Sequence, residues 1–238
     1  MQRPDQNNKE GTDGLEAYIR GLFTARAEKE KQLKLERYRR LNRLVRSGQI
    51  LLAGSSLMEL FPAGELLESR EIRLPLAVYN RGISGFTTAE LLENMDVCVC
   101  DLRPSKIFIN IGTNDLNGPD YAEEALIGNY RKILAGIREQ LPGVKLYVMA
   151  YYPVCPAAAR GHRNIEAVLK WRTKERIGAA NEAVRHLAEE LGAVYLDCNE
   201  EITDENGYMK AEYAENGLHM LPDGYDKVLD VLLPYMKE

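Results

Sequence analysis

The stretch that decides the fold is residues 50–60, Ile50-Leu51-Leu52-Ala53-Gly54-Ser55-Ser56-Leu57-Met58-Glu59-Leu60, where an apolar run meets a glycine and two serines. Because the run has no polar alternation, it predicts a strand buried on both faces, and the apolar residues after the serines have helical spacing. A hydroxyl at this strand-to-helix turn lies near the backbone N–H groups that begin the helix. Ser56 is therefore the first candidate nucleophile, although Gly-Ser-Ser after a strand, taken alone, is more often a turn with a helix N-cap.

Strands and helices alternate along the chain after this stretch. Further short apolar runs predict strands at residues 76–80, 106–111, 145–150 and 193–196. Periodic segments predict helices between them, including one through Cys98, one over 121–140, one long helix ending near Gly192 and a last one over 222–236. This order predicts right-handed crossovers and an α/β fold, in which a five-stranded parallel sheet lies between two layers of helices.

The size and charge of the chain limit its function classes. It has 238 residues, of which 45% are hydrophobic, and a net charge of −5. That content can fill a sizeable core, whereas the mildly acidic balance argues against a nucleic-acid partner. No apolar run approaches the ~18 residues that span a bilayer. The first ten residues also lack the apolar centre of a secretory signal. We therefore expect no membrane span and a cytoplasmic location.

The cysteines and glycines show no cofactor motif. The cysteine spacing matches neither a zinc site nor a disulfide framework, so we expect buried free thiols and no metal at Cys98, Cys100, Cys155 and Cys198. The glycines form neither the dinucleotide fingerprint nor a phosphate loop. The sequence therefore predicts a protein without a cofactor.

The amino-terminal segment differs from the rest, which predicts a helical appendage over residues 1–47 and a main domain over residues 48–238. An apolar helical stripe begins this segment, formed by Leu15, Tyr18, Ile19, Leu22 and Phe23. Arginines and glutamates alternate after the stripe, which favours a solvated helix face. Because the stripe must be covered, we expect it to pack on the main domain or to join two subunits in a homo-oligomer.

Small and polar residues follow three of the predicted strands at one edge of the sheet. Ser56 follows the first strand, Gly85 the second and Asn114 the third. In an open parallel sheet, ligands collect outside the carboxyl ends of the strands. The segment before the last helix, with Asn216 and His219, returns to this edge after the fifth strand.

These residues supply the groups that acyl transfer needs, namely a nucleophile, a base and donors to an oxyanion. Ser56 would attack an ester carbonyl, and His219 would take its proton and return it to the leaving alkoxide. The backbone N–H groups of Ser56 and Gly85 and the side-chain amide of Asn114 would hold the oxyanion. Asp115, beside Asn114, is more typical of a helix cap than of a catalyst.

Four short blocks of this sequence resemble those of the SGNH hydrolases, also called GDSL esterases and lipases. In the order of that family, they are Gly54-Ser55-Ser56, Asn80-Arg81-Gly82-Ile83-Ser84-Gly85, Gly112-Thr113-Asn114-Asp115 and Asn216-Gly217-Leu218-His219. The resemblance covers residues from about 50 to 236 and implies a flavodoxin-like three-layer α/β/α fold. It also implies metal-free ester hydrolysis with Ser56 as nucleophile, Gly85 and Asn114 as oxyanion donors and His219 as base. Esters of acetylated carbohydrates, lysophospholipids and short acyl chains lie within the range of that family.

Two positions depart from the family pattern. Gly54-Ser55-Ser56 replaces the usual Gly-Asp-Ser, as in the members that resemble platelet-activating-factor acetylhydrolase. Asn216 stands where the family has an acid three residues before the histidine. A carboxylate there orients the imidazole, and the corresponding Asp-to-Asn change in a serine protease lowers kcat by about 10⁴. Papain-like enzymes nevertheless orient their histidine with an asparagine.

Three outcomes therefore remain open for His219. They are a dyad with Ser56 in which Asn216 orients the ring, a triad with a substitute acid, and a protein that has lost turnover. The candidate acids are Glu215, Glu212 and Asp223. We predict a serine esterase that hydrolyses a small acyl ester, such as an acetyl ester, of a carbohydrate or lipid alcohol. The alternatives are a catalytically impaired binding module on the same fold and an interaction protein built around residues 11–47.

Overall fold

A parallel sheet forms the centre of the fold in the computed structural model, which describes residues 6–238, with side chains for residues 18, 19 and 21–238. Within this described part the sheet has five strands, β1 (Ile50–Gly54), β2 (Val78–Asn80), β3 (Lys106–Asn110), β4 (Lys145–Met149) and β5 (Val194–Leu196). Their spatial order is β2-β1-β3-β4-β5, and every neighbouring pair is parallel. The predicted α/β class and five-stranded sheet are confirmed.

Helices cover both faces of the sheet. They are α1 (Gln6–Asn42), α2 (Ser56–Glu59), α3 (Ala63–Ser69), α4 (Thr88–Glu93), α5 (Met95–Cys98), α6 (Glu123–Gln140), α7 (Arg163–Leu169), α8 (Lys174–Glu190) and α9 (Pro222–Lys237). Successive side chains of a strand point to opposite faces, so Leu51 of β1 packs in one core with α6 and α8, while Leu52 packs in the other with α3 and α9. Both faces of β1 are therefore buried, as its apolar run predicts.

Two of the predicted helices are interrupted. The helix expected through Cys98 breaks at Asn94 into α4 and α5, and the long helix expected before Gly192 is the pair α7 and α8. The second break occurs because Thr173 has an extended backbone and its hydroxyl accepts a hydrogen bond from the N–H of Arg176, which starts a new helix. The residues at this break lie beside the candidate site described below.

Among the described side chains of the N-terminal helix, those that pack on the sheet domain lie in its carboxyl-terminal part. Leu35 and Tyr38 are buried in the core. The apolar stripe instead lies open to solvent, with exposed side chains at Tyr18, Ile19, Leu22 and Phe23, while Leu15 lies outside the described side chains. The expectation that these four residues pack on the main domain is therefore wrong. They lie in the amino-terminal half of α1, and it is the carboxyl-terminal half of this helix that contacts the domain. Pairing with a second subunit stays a prediction, as does the domain boundary at residue 47.

The cysteines are buried in the protein interior, and none of them is paired with another within the described part. Burial raises the pKa of Cys98 and Cys198 to about 12 and that of Cys100 to about 11. These three thiols are therefore protonated at neutral pH and act as small core residues. Across residues 6–238, the helices include none that is both long enough and apolar enough to cross a membrane.

Candidate active site

Ser56 lies at the carboxyl end of β1, as the first residue of α2, with its hydroxyl directed at a histidine. Its Oγ lies 3.0 Å from Nε2 of His219. The turn requires Gly54, because a Cβ at this position would lie 2.0 Å from the carbonyl oxygen of Asn110 on β3. As the first residue of a helix, Ser56 also has a backbone N–H without an intrahelical acceptor. The fold thus brings a hydroxyl, an imidazole and a free N–H to one place.

His219 lies in the turn before α9, which an antiparallel bridge between Ala214 and Met220 closes. The ring is half-buried, and this burial holds its pKa below the usual value. The nearby cation of Arg172 also lowers that pKa, whereas the carboxylate of Glu215 raises it. The net effect keeps the imidazole neutral at neutral pH, which is the protonation state that a general base needs.

Asn216 contacts the other ring nitrogen of His219. Its Oδ1 accepts hydrogen bonds from the backbone N–H groups of Leu218 (3.2 Å) and His219 (3.1 Å). These two donors fix the orientation of the amide, so it is Nδ2 that lies 3.0 Å from Nδ1 of His219. Because an amide Nδ2 can only donate, Nδ1 is an acceptor and the ring proton is on Nε2. The neutral ring therefore donates to Ser56 Oγ in this arrangement.

The three candidate substitute acids do not take the place of Asn216. These acids are Glu215, Glu212 and Asp223. Within the described residues, none of their carboxylates forms a hydrogen bond with the His219 ring. Glu215 acts on His219 through its charge alone, since the hydrogen bond between these two residues joins backbone groups. The structure thus leaves Asn216 as the side chain that orients the imidazole.

Asn114 lies in the turn that follows β3, where its amide is held at both ends. Nδ2 donates to the carbonyl oxygen of Phe86 over 2.8 Å, and Oδ1 accepts from Nη2 of Arg172 over 3.0 Å. An amide Nδ2 carries two hydrogens. One of them is therefore free to donate to a ligand.

Gly85 adds a second donor next to Asn114. Its φ of 78° lies in the left-handed region that favours glycine, and none of the described residues accepts a hydrogen bond from its N–H. Lys31 of α1 lies over this residue, since a Cβ at Gly85 would lie 3.3 Å from Lys31 Cε. The edge of the sheet thus carries the three groups that the sequence predicts as oxyanion donors.

Helix α1 supports the loop that carries Gly85. The hydroxyl of Tyr38 donates to the carbonyl oxygen of Gly82 over 2.8 Å. Lys34 forms an ion pair with Glu59, whose other carboxylate oxygen accepts from the backbone N–H of Ser84 over 2.6 Å. The carboxyl-terminal part of α1 therefore braces a loop of the site, which the appendage interpretation did not anticipate.

Arg172 is the site residue that the sequence analysis missed. It lies in the break between α7 and α8, only 5% exposed, and contacts Asn114 as described above. Nothing in the local sequence distinguishes it from the many other arginines of the chain. Its partners in the structure lie more than 50 residues away, so no local pattern could have identified it.

Asp115 supports the site without contacting its reactive groups. Its carboxylate accepts from the backbone N–H of Thr88 over 3.0 Å and from the hydroxyl of the same residue. Asp115 therefore stabilises the start of α4. Burial raises its pKa, which the hydrogen bonds from Thr88 partly offset. Across the described residues, no cluster of three or more His, Cys, Asp or Glu side chains could hold a metal ion.

Comparisons with known proteins agree with the geometry. Residues 62–227 match the family model of the GDSL-like lipase/acylhydrolase family. No curated protein matches the sequence. Among solved structures, a protein from Streptococcus pneumoniae, described as a candidate platelet activating factor, shares 28% identity. That alignment covers 92% of this chain and 99% of the other, with a TM-score of 0.82.

Two further structures share the fold at lower identity. A GDSL-like lipase from Bacteroides thetaiotaomicron is 20% identical, with 85% of this chain and 96% of the other covered and a TM-score of 0.68. A catalytic mutant of an acetylxylan esterase from Geobacillus stearothermophilus is 16% identical, with 81% and 95% covered and a TM-score of 0.58. Since the family model spans most of the chain, the protein belongs to the GDSL-like lipase/acylhydrolase family and is an ester-hydrolysing enzyme.

Proposed function

We propose that the protein is a metal-free serine esterase in which Ser56 is the nucleophile and His219 the base. The observation that carries this proposal is the 3.0 Å approach of Ser56 Oγ to His219 Nε2 at the carboxyl edge of a parallel sheet. Two prospective oxyanion donors, Gly85 N–H and Asn114 Nδ2, flank that edge. A hydroxyl within hydrogen-bond reach of a neutral imidazole is the arrangement that nucleophilic catalysis requires.

Acyl transfer at this site proceeds in two matched steps. Ser56 Oγ bonds to the ester carbonyl carbon, its proton passes to His219 Nε2, and the carbonyl electron pair becomes an oxyanion. The oxyanion collapses, the bond to the alcohol breaks, and the leaving alkoxide takes the proton from His219. Water then attacks the acyl-enzyme in the same way and releases the acid and Ser56. The donors from Ser56, Gly85 and Asn114 stabilise both oxyanions.

Asn216 makes proton transfer to His219 harder than a carboxylate would. Nε2 can accept a proton only in the tautomer that carries hydrogen on Nδ1, and that hydrogen would face the Nδ2 of Asn216. Turning the amide over would present Oδ1 to the ring, but Oδ1 would then leave the N–H groups of Leu218 and His219. Each lost hydrogen bond costs roughly 1 kcal/mol. We infer a working dyad with reduced turnover.

The proposed substrate is a small acyl ester, such as an acetyl ester, of a carbohydrate or lipid alcohol. Support comes from the structural neighbours, which include an acetylxylan esterase and a candidate platelet activating factor. An open cavity of about 700 Å³ lies beside Asn216 and is lined by His162 and Glu215 among others. Such a cavity could receive the alcohol part of an ester bound at Ser56.

Labelling by a fluorophosphonate probe tests the role of Ser56. We expect the wild-type protein to be labelled and Ser56→Ala to lose both the label and the hydrolysis of p-nitrophenyl acetate. Ser55→Ala is the matched control, because the buried Ser55 hydroxyl has no hydrogen-bond partner among the described residues. That variant should keep its label and its activity. Unchanged hydrolysis in Ser56→Ala would contradict the proposal.

Ligand binding with little turnover is the second candidate function. The hydrogen bond that Asn216 Nδ2 donates to Nδ1 of His219 favours this second function. This contact holds the ring in the tautomer that cannot accept the proton of Ser56. The absence of label and of hydrolysis over a wide pH range, in a folded protein, would favour this candidate over the esterase.

We also propose that the exposed stripe of α1 pairs with a second copy of the chain. Tyr18 and Phe23 are each about two thirds exposed, which is unfavourable for aromatic side chains in water. Replacing Leu22 and Phe23 by aspartate should convert a dimer to a monomer in light scattering while esterase activity is kept. A monomeric wild-type protein would contradict this proposal.

A further inference from the structure

Arg172 is a buried cation whose side-chain hydrogen bonds, in the described part of the chain, go to neutral amides. Its side chain lies at the break between α7 and α8, and within the described residues it forms no ion pair with a carboxylate. Burial lowers its pKa to about 10, so the guanidinium stays charged at neutral pH. Removing a charge from water without a partner is costly, and such groups are concentrated at functional sites.

The hydrogen bonds of Arg172 converge on the amide of Asn114. Nη2 donates to Asn114 Oδ1 over 3.0 Å, and Nε donates to Asn117 Oδ1 over 2.8 Å. The Nδ2 of Asn117 in turn donates to Asn114 Oδ1 over 3.3 Å. With two donors on its oxygen, Asn114 cannot turn its amide over without leaving them unpaired. Arg172 therefore fixes the direction in which Asn114 Nδ2 points.

We propose that Arg172 is a positioning residue of the oxyanion hole, which holds the Asn114 amide toward the substrate and supplies a buried positive charge for the tetrahedral oxyanion. This inference rests on the proposed esterase function. The ground-state ester carbonyl carries only a dipole, whereas the tetrahedral intermediate carries a full negative charge next to Asn114 Nδ2. The charge of Arg172 therefore favours the transition state over the bound substrate.

Recognition of an anionic substrate group fits the contacts less well. Arginine usually binds a carboxylate or phosphate through two parallel N–H donors. Here Nε and Nη2 are already used by asparagine oxygens, and among the described residues only Nη1 lacks an acceptor. The guanidinium is thus arranged to hold amides, with little left for a bidentate anion.

The test compares Arg172→Met with Arg176→Met in the full chain. Arg176 is the matched control, because its Nη1 donates to the carbonyl oxygens of Leu116 (3.0 Å) and Gly118 (2.9 Å) in the same loop but does not contact Asn114. We expect Arg172→Met to lower kcat for p-nitrophenyl acetate by roughly 10- to 100-fold, less than the loss of an oxyanion donor itself, with KM nearly unchanged. Arg176→Met should keep kcat within about threefold.

Two further readouts separate positioning from folding. Arg172→Lys keeps the positive charge but not the planar guanidinium, so its kcat should lie between those of wild type and Arg172→Met. If Arg172→Met does not fold, Arg172→Lys takes its place in the comparison with Arg176→Met. In NMR titrations, Arg172→Met should raise the pKa of His219 because a neighbouring cation is lost, while Arg176→Met should leave it unchanged.

Several results would overturn the inference. They are an unchanged kcat in Arg172→Met, a rise in KM with kcat kept, an equal fall in Arg176→Met, or a loss confined to an anionic ester such as p-nitrophenyl hemisuccinate. The last result would assign Arg172 to substrate recognition instead. A wild-type protein without Ser56-dependent hydrolysis would overturn the proposed function and this inference together, whereas an active Arg172→Met would overturn only the inference.

Discussion

Replacing Asn216 by aspartate should convert the dyad to a triad and raise turnover. In Asn216→Asp, one carboxylate oxygen can keep the hydrogen bonds from the N–H groups of Leu218 and His219, at 3.2 and 3.1 Å. The other oxygen takes the place of Nδ2, 3.0 Å from Nδ1 of His219. A carboxylate accepts where the amide donated, so the ring proton moves to Nδ1 and Nε2 becomes the acceptor for the proton of Ser56.

The expected gain follows from the charge placed next to the ring. A carboxylate and an imidazolium 3.0 Å apart attract each other by roughly 5 kcal/mol at an effective dielectric constant of about 20. That energy corresponds to a factor of about 10⁴, similar to the loss caused by the reverse change in a serine protease. Because the ring is only half-buried, we expect kcat to rise by about 10²- to 10⁴-fold. The pKa of His219 should rise, because the added carboxylate favours the charged ring.

The assay is the hydrolysis of p-nitrophenyl acetate, measured as kcat and KM over a range of pH, together with the rate of fluorophosphonate labelling. Asn216→Ala is the control, because it removes the contact with the ring without adding a charge, and its kcat should stay far below that of Asn216→Asp. The double variant of Asn216→Asp with Ser56→Ala should have no activity above background.

A folded Asn216→Asp with unchanged or lower kcat would refute this reasoning. It would show that the native activity needs the hydrogen bond from Asn216 Nδ2 to Nδ1 of His219, or that proton transfer to His219 does not limit turnover. A normal thermal melting curve is required with either result, since the aspartate must also keep the turn that holds His219.

Three further predictions follow from the site and the core. Asn114→Ala should lower kcat by about 10²- to 10³-fold with little change in KM, because it removes an oxyanion donor. A rise in KM as large as the fall in kcat would contradict this role. In the pH profile of kcat/KM, the acid limb should lie below the usual histidine pKa, because burial lowers the pKa of His219 and activity is lost only as the pH falls through that lowered value. Glu215→Gln removes a carboxylate that raises this pKa, so it should move the acid limb to a still lower pH. Leu35→Ala should lower the free energy of unfolding by about 2–5 kcal/mol, whereas replacing the exposed Leu33 by alanine should change it by less than about 0.5 kcal/mol. Denaturant titrations measure both values, and equal losses in the two variants would contradict the docking of α1.

The sheet and its reactive edge could be predicted because both depend on local patterns. An apolar run such as Ile50–Gly54 predicts a buried strand, and parallel topology places the carboxyl ends of β1 and β3 at one edge. This edge is where the sequence predicts that Ser56, Asn114 and His219 meet.

The remaining features depend on contacts that are distant in sequence. The role of Arg172 depends on amides more than 50 residues away. The break beside it includes a hydrogen bond that the Thr173 hydroxyl accepts from the N–H of Arg176. The orientation of the Asn216 amide depends on two backbone N–H groups in a turn whose shape the sequence does not show. The stripe of α1 could be predicted as apolar, but periodicity does not identify its partner, so the sequence did not choose between the main domain and a second subunit.

The contact between Tyr38 and Gly82 links two equilibria, the docking of α1 and the binding of an oxyanion. If the loop carrying Gly85 is better ordered with α1 in place, a ligand that engages that loop must in turn stabilise the docked helix, because thermodynamic coupling is reciprocal. A tetrahedral inhibitor should then slow amide hydrogen exchange in residues 34–42. Tyr38→Phe should weaken this protection and also loosen inhibitor binding.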